Sequence, residues 1–480
     1  MKVLITASEA VPYAKTGGLA DVTGSLADEL ASAGIDVMLV LPLYKGILED
    51  HSPEKNDYKG TLSIDKIPRK LELHTLKRNS GVQVVFIANK KYFLRDELYS
   101  TSEGEYADND ERFSFFSKAV LEAAKALDFI PDVIHLNDWQ SALIPAYLKT
   151  SYRWDFPTTQ TLFTIHNLGY QGLFPPESMR VAELPYEFFT MQVMEFYGKV
   201  NYLKAGLIFS DAINTVSKRY AQEILMPEYG FGLDGVLRDR RSALSGITNG
   251  IDQKYWNPET DKNIPARYSI KNMSGKHVCK DALIEKASFA KSHDSPIIGM
   301  VGRLATQKGF DILLEAMDEL LEMGIRFAIL GRGEDEIQDE LLELAENYPE
   351  QIFLSLEFDE PLAHLIYAGS DMFLMPSQYE PCGLAQMISM RYGTPPVVRD
   401  TGGLHDTVTD VSGNAGTGFV FKEHTSKKLK QALIRALDTF NNRDIWDALQ
   451  KRCMAEDFSW KKSAGKYIDL YHNIHNGVNV

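Results

Sequence analysis

Lys15-Thr16-Gly17-Gly18-Leu19-Ala20-Asp21 sets an ammonium and two glycines between a strand-like start and an amphipathic helix. Helix N-termini leave backbone N–H groups unpaired at the positive end of the dipole, and glycine lets a ligand approach the backbone closely, so the turn suits a phosphate. Arg303 and Lys308 stand five positions apart, ahead of a second helical run from Phe310 to Met323. A guanidinium fork and a compact ammonium together can neutralise the diphosphate of a departing nucleotide. Glu380-Pro381-Cys382-Gly383-Leu384 follows Met375-Pro376-Ser377 at a strand end and opens another helix. There a carboxylate can accept from sugar hydroxyls while Gly383 and the helix start cradle a phosphate. Helix capping is the alternative for Glu380. Cys382 raises a nucleophile reading, but lone cysteines are usually buried and inert, so it is expected to pack beside the site. Thr401-Gly402-Gly403-Leu404 repeats the glycine turn into a helix. His166-Asn167, followed by Gly169-Tyr170-Gln171-Gly172, puts an imidazole in a loop where it can meet a ligand hydroxyl or a developing charge. Asp138-Trp139 offers a carboxylate beside an aromatic platform, suited to a sugar; a helix N-cap with a buried indole is the other reading.

The elements that must hold these residues alternate between strand and helix. Apolar runs at Met1 to Ala7, Asp36 to Leu41, Val82 to Ala88, Asp132 to Leu136, Thr161 to Ile165 and Ala212 to Val216 read as a first parallel sheet. The rhythm stops near Ser245 and restarts at Pro296, with runs at Ile297 to Val301, Phe327 to Leu330, Ile352 to Ser355, Met372 to Met375 and Pro396 to Val398. The polar, turn-rich stretch between them marks a boundary. Two domains are expected, 1–245 and 246–455, with an aromatic-bearing helix over 456–480 packing back on the first. Open parallel sheets bind ligands beyond the carboxyl ends of their strands. The punctuation falls there, at Asn137-Asp138, His166-Asn167, Gly302-Arg303 and Gly331-Arg332-Gly333.

The 480 residues, 44% hydrophobic, suffice for two cores. A formal net charge of −15 argues against a nucleic-acid partner, so any phosphate must be held locally. No export signal is expected after Met1. Leu203 to Ile213 is apolar but contains Lys204 and Asp211, so no membrane partner is expected. Three scattered cysteines, Cys279, Cys382 and Cys453, fit neither a disulfide framework nor a zinc site and favour a reducing cytoplasm.

Together with Tyr229-Gly230-Phe231-Gly232-Leu233-Asp234-Gly235 and Thr248-Asn249-Gly250-Ile251-Asp252, these segments resemble the bacterial glycogen synthase and plant starch synthase family of retaining glucosyltransferases, over almost the whole chain. The resemblance implies a GT-B fold, α/β, with two Rossmann-like domains facing each other across a deep cleft. It also implies transfer of glucose from ADP-glucose to the non-reducing 4-hydroxyl of an α-1,4-glucan such as glycogen, with retention and without a metal or other cofactor. By resemblance Arg303 and Lys308 bind the ADP phosphates, with Lys15, Gly17 and Gly18 closing over diphosphate and glucose. Glu380 and His166 contact the donor glucose, and backbone around Cys382, Gly383 and Leu384 adds to that contact. Asp21 and Asn249 line the same pocket, Thr401, Gly402 and Gly403 join the substrate-binding set, Asp138 lies toward the acceptor, and Phe358 stands near adenine. The sequence departs from the family in two places: Asn137 stands where bacterial members often carry a second histidine, and Gln378-Tyr379 stands where they commonly show Arg-Phe. A UDP-glucose-dependent relative and a non-catalytic glucan-binding protein are the competing readings. A dinucleotide oxidoreductase is disfavoured because neither sheet opens with Gly-x-Gly-x-x-Gly and a following acidic residue.

Overall fold

The computed structural model describes residues 1–101, 104–292, 294–357, 359–413 and 415–478. The chain divides into two compact units, one comprising 1–247 with 460–480 and the other 248–459.

The first unit is built on a nine-stranded sheet. Its strands are β1 (Lys2–Thr6), β2 (Asp36–Pro42), β3 (Glu54–Ile64), β4 (Ile67–Lys77), β5 (Gln83–Ala88), β6 (Val133–Asn137), β7 (Gln160–Ile165), β8 (Ala212–Thr215) and β9 (Leu244–Gly246). They lie in the order β9-β8-β7-β6-β1-β2-β5-β4-β3. All pairings are parallel except those of the β3–β4 hairpin and of β4 with β5. The continuous apolar runs of β1 and β2 are buried, as is all of β6, as strands covered on both faces require. The β3–β4 hairpin was not foreseen, because an edge strand with mostly exposed residues carries no apolar run. The helix Gly18–Ser32 lays Val22, Leu26 and Leu30 on this sheet, and Gly17 in extended conformation precedes it. Leu203 lies in a short helix, Tyr202–Phe209, whose Lys204 ammonium donates to the carbonyls of Met191 and Glu195. Among the described residues no helix is long and apolar enough to cross a membrane.

The closing helix, Trp460–His475, belongs to this first unit and buries Trp460, Tyr467, Leu470, Tyr471 and Ile474. It adds more than apolar area. His135 on β6 is fully buried, and its two ring nitrogens meet the Tyr471 hydroxyl at 2.8 Å and the Thr164 hydroxyl at 2.7 Å. Asn214 on β8 donates to the Tyr467 hydroxyl at 3.1 Å. Buried polar groups are costly when unpaired, so these tyrosines answer donors and acceptors that the sheet itself cannot satisfy.

The second unit carries a six-stranded, all-parallel sheet of β10 (Ile297–Val301), β11 (Arg326–Leu330), β12 (Ile352–Ser355), β13 (Met372–Met375), β14 (Pro396–Arg399) and β15 (Phe419–Phe421), in the order β12-β11-β10-β13-β14-β15. Each sheet has one place where successive βα units turn in opposite directions, between β1 and β6 in the first and between β10 and β13 in the second. Such switch points leave a crevice at the carboxyl ends of the strands.

Tyr471→Phe is expected to leave a ring nitrogen of His135 without its hydroxyl and to cost about 1–3 kcal/mol. A thermal unfolding transition unchanged from the parent would show that His135 does not depend on the closing helix.

Candidate active site

In the first unit the predicted residues gather where β1, β6 and β7 end side by side. After β1 the chain runs through Ser8 and Glu9 to the glycine turn. Glu9 is buried, and its carboxylate accepts from the backbone N–H of Thr16, from the Thr16 hydroxyl at 2.7 Å and from the Tyr99 hydroxyl at 2.6 Å. The turn is therefore tied to the segment that carries Tyr99. Sequence reasoning missed Glu9; its one signal is an acidic residue at a strand's carboxyl end. Lys15 pairs with Asp21, in the first turn of the following helix, at 2.8 Å, and Gly17 and Gly18 lie exposed at the helix start.

Asp138 follows β6 with φ 55° and ψ −176°, a region that costs a non-glycine residue of order 1–3 kcal/mol. Its N–H donates to the Thr164 carbonyl at 3.1 Å and its carboxylate accepts from the His166 N–H at 2.7 Å, which holds the turn. Burial pushes its carboxyl up to about 7, with the neighbouring Glu9 adding to the rise against the bonds donated by the His166 and Asn167 backbones. The carboxylate therefore serves the His166 loop and caps no helix. Trp139 is buried, edge-on to Phe113 with ring centroids 4.8 Å apart, and is core rather than the sugar platform the sequence suggested. His166 is half-buried at the end of β7. Its Nε2 lies 2.8 Å from Asn137 Oδ1, and desolvation pushes its pKa down to about 3, which keeps the ring neutral.

In the second unit a pocket opens at the β10–β13 switch point. Gly302, Arg303, Lys308, Ser377, Glu380, Gly383 and Leu384 line it, over an apolar floor that includes Met300, Ile329 and Leu374. Lys308 Nζ lies 2.6 Å from Glu380 Oε2, which also accepts from Ser377 Oγ at 3.0 Å. Both bonds fall on Oε2, and the following helix has no side-chain cap, so the capping alternative gives way to an ion pair inside the pocket. Arg303 is exposed and donates to Gln307 Oε1 at 2.7 Å; Gln307 in turn donates to the Tyr379 carbonyl at 3.1 Å, which ties the basic loop to the acidic one.

Gly402 and Gly403 pack directly under that acidic loop. A Cβ on Gly402 would collide with the Glu380 carbonyl oxygen, and one on Gly403 with the Cys382 carbonyl oxygen. The Gly403 N–H donates to the Glu380 carbonyl at 3.0 Å, and Thr401 precedes it, buried. Glycine is required here for close backbone approach. Burial raises the Cys382 thiol to about 12, against the hydrogen bonds that Asn249 offers it, so it is un-ionised and poorly suited to nucleophilic attack. Asn249 is buried and its Oδ1 has no hydrogen-bond partner among the described residues, an acceptor that a ligand hydroxyl would satisfy. Phe358 lies outside the described residues. Among the described residues no group of three His, Cys, Asp or Glu side chains is placed to hold a metal ion, and the three cysteines are free and buried.

Each unit can thus present cations, glycine-bared backbone and hydroxyl-binding groups at the carboxyl edge of its sheet. The comparisons with known proteins agree with that chemistry. Residues 2–239 match the starch synthase catalytic domain model and residues 281–450 match glycosyl transferases group 1. A glycogen synthase of Thermodesulfovibrio yellowstonii is 46% identical, with 99% of this chain and 98% of the relative covered, and one of Thermotoga maritima is 43% identical with 98% of each covered. The catalytic domain of starch synthase IV from Arabidopsis thaliana, solved bound to ADP and acarbose, superposes with a TM-score of 0.91 at 33% identity over 99% of each chain. A sucrose-phosphate synthase from Thermosynechococcus elongatus, 17% identical over 99% of each chain, shares the fold at a TM-score of 0.62. The fold is GT-B, with two Rossmann-like domains.

Two substitutions test the site's construction. In Gly403→Ala the added methyl must displace the Cys382 carbonyl, and turnover is expected to fall at least tenfold while unit-scale folding survives; unchanged turnover would show that the loop shifts freely. Asp138 binds its proton more tightly folded than unfolded. Its contribution to stability is therefore greatest below the ordinary carboxylate range and is lost as pH rises towards about 7. Relative to Asp138→Asn, the parent should lose thermal stability between pH 5 and pH 8. A pH-independent difference between the two proteins would contradict the raised value.

Proposed function

The chain belongs to the glycogen synthase and starch synthase family of glycosyltransferases, and from that membership we propose that it transfers glucose from ADP-glucose to the non-reducing 4-hydroxyl of an α-1,4-glucan, with retention of configuration. The observation that carries this reading is the second-unit pocket, where Arg303, Lys308 and Glu380 share one crevice at a sheet's switch point.

The C1–O bond of the donor breaks with its electron pair leaving on the diphosphate, while positive charge develops on the glucose ring. Arg303 and Lys308 stabilise the leaving phosphates, and Lys15 with the Gly17–Gly18 backbone serves the same group. Glu380 exchanges part of its bond to Lys308 for donor hydroxyls, and Asn249 Oδ1 and His166 take others. Asp21, released as Lys15 turns to phosphate, and the backbone at Cys382, Gly383 and Leu384 complete the donor contacts, while Thr401, Gly402 and Gly403 serve them by holding the acidic loop in place. Phe358 is assigned to the adenine. The acceptor oxygen attacks C1 from the face the diphosphate leaves, and its proton passes to a phosphate oxygen. The one nucleophile candidate, Cys382, is not called on, since its thiol is un-ionised. Asp138 is assigned toward the acceptor. Domain 1–245 with the helix 456–480 supplies the acceptor side and the Lys15 loop, and 246–455 supplies the nucleotide-sugar side. The buried, free thiols fit a cytoplasmic setting.

The test is incorporation of labelled glucose into glycogen by the purified protein, with ADP-glucose and UDP-glucose in parallel. Transfer from ADP-glucose is expected. Preference for UDP-glucose would reassign the donor, and no transfer from either would overturn the reading. Lys15→Ala and Arg303→Ala should each lower kcat by about a hundredfold or more; wild-type rates in both would remove the phosphate assignment.

A further inference from the structure

Asn137 is the last residue of β6 and is buried. Its side-chain amide has two ends with distinct surroundings. Nδ2 faces the Thr6 carbonyl at 3.1 Å and the His135 carbonyl at 3.4 Å. A carbonyl oxygen only accepts, so the end that faces the two of them must be the NH2 group. Oδ1 is thereby turned to His166 Nε2 at 2.8 Å, and an amide oxygen only accepts. The proton of the His166 ring must then sit on Nε2. Nδ1 is left with a lone pair, and among the described residues it has no hydrogen-bond partner. The backbone N–H of His166 is held by Asp138, so the residue is fixed once through its ring and once through its backbone.

We propose that Asn137 is a positioning residue that locks His166 in its Nε2–H tautomer, so that Nδ1 serves solely as an acceptor for a hydroxyl that the donor sugar must donate. The inference rests on the reading that His166 meets the donor glucose. It also gives a physical content to the sequence's departure at this position. A histidine here can donate or accept, and its own titration would set the polarity of the contact. An amide cannot titrate, and its two ends are assigned by the carbonyls of β1 and β6. The lock is thus independent of pH over the range in which His166 stays neutral. The titratable groups around the ring are Asp138 and His135 on the β6 side, Glu9 after β1, Tyr220 beneath the loop through its bond to the Leu168 N–H, and Tyr471 behind His135. Of these Asp138 changes charge near neutrality, and its carboxylate faces the His166 backbone rather than Nδ1.

Nitrogen NMR of the full chain labelled at histidine, with His166→Ala to assign the resonance, reads the tautomer directly. The ring should carry its proton on Nε2 and hold it there from pH 8 to pH 5. Asn137→Leu keeps the volume and removes the acceptor, so the proton should move to Nδ1 and kcat/KM for ADP-glucose should fall about tenfold to a hundredfold, with KM for glycogen unchanged. Asn137→His should give both tautomers in a pH-dependent ratio. A proton on Nδ1 in the parent, or a tautomer ratio unaltered by Asn137→Leu, overturns the proposal. Should Asn137→Leu fail to fold, donors with each glucose hydroxyl replaced in turn by fluorine answer the same question in the parent. Fluorine cannot donate, so one position should carry a large penalty that collapses in His166→Ala; equal penalties at every position in both proteins would remove the acceptor role. Failure of glucose transfer as such would sink the functional reading while the NMR result still judged the tautomer.

Discussion

A chain with a net charge of −15 that must hold a diphosphate faces a constraint at each cation it places for the purpose. An ammonium or guanidinium left alone in a partly dry crevice is costly, and the surrounding excess of carboxylates is ready to neutralise it. The two lysines at issue are each paired with a nearby acid: Lys15 with Asp21 at 2.8 Å and Lys308 with Glu380 at 2.6 Å. The pairs differ in kind. Lys15 and Asp21 are both substantially exposed, so their attraction is weak and readily exchanged. Glu380 is buried and keeps a second bond from Ser377, which fixes the carboxylate whether or not the lysine stays. In the proposed mechanism each acid thus holds the place of a phosphate and, once displaced, accepts from a sugar hydroxyl.

The glycines follow from the same constraint. A phosphate too weakly held by side chains must be met by backbone N–H groups, and these reach a ligand only where no Cβ intervenes. Gly17 and Gly18 lie open at a helix start, whereas Gly402 and Gly403 are spent on bringing one loop against another, since their Cβ positions fall on the carbonyls of Glu380 and Cys382. The two turns look alike in sequence and do different work. One leaves backbone exposed at a helix start; the other sets the height of the acidic loop above the pocket.

Most strands of both sheets were legible because a parallel sheet covered on both faces leaves apolar runs, but the three-residue edge strands Leu244–Gly246 and Phe419–Phe421 were too short to stand out. Ile297–Val301, Ile352–Ser355 and Met372–Met375 begin and end where the sequence indicated. The β3–β4 hairpin and the helix Arg443–Ala455 escaped notice, the first because few of its residues are buried and the second because it follows its neighbour after a two-residue break. At the site, charged residues beside glycine turns could be read in place. Glu9 could not, and Asn137 showed only as a strand end and a departure from the family, since what makes each matter is a contact with Thr16, Tyr99, Thr6 or His166 on another segment. Asp138 was singled out for its carboxylate, yet the strained backbone that aims it is a property no residue pattern announces.

The closing helix has a consequence for the order in which the molecule can be made. Ribosomes deliver a chain from its N-terminus at about 5–20 residues per second, and the second unit, 248–459, emerges whole before residue 460 appears. Through that interval β6 and β8 lack the hydroxyls of Tyr471 and Tyr467, so His135 and Asn214 must stay hydrated or find substitutes. The first unit can therefore complete its buried hydrogen bonds only after the whole of the second has been synthesised.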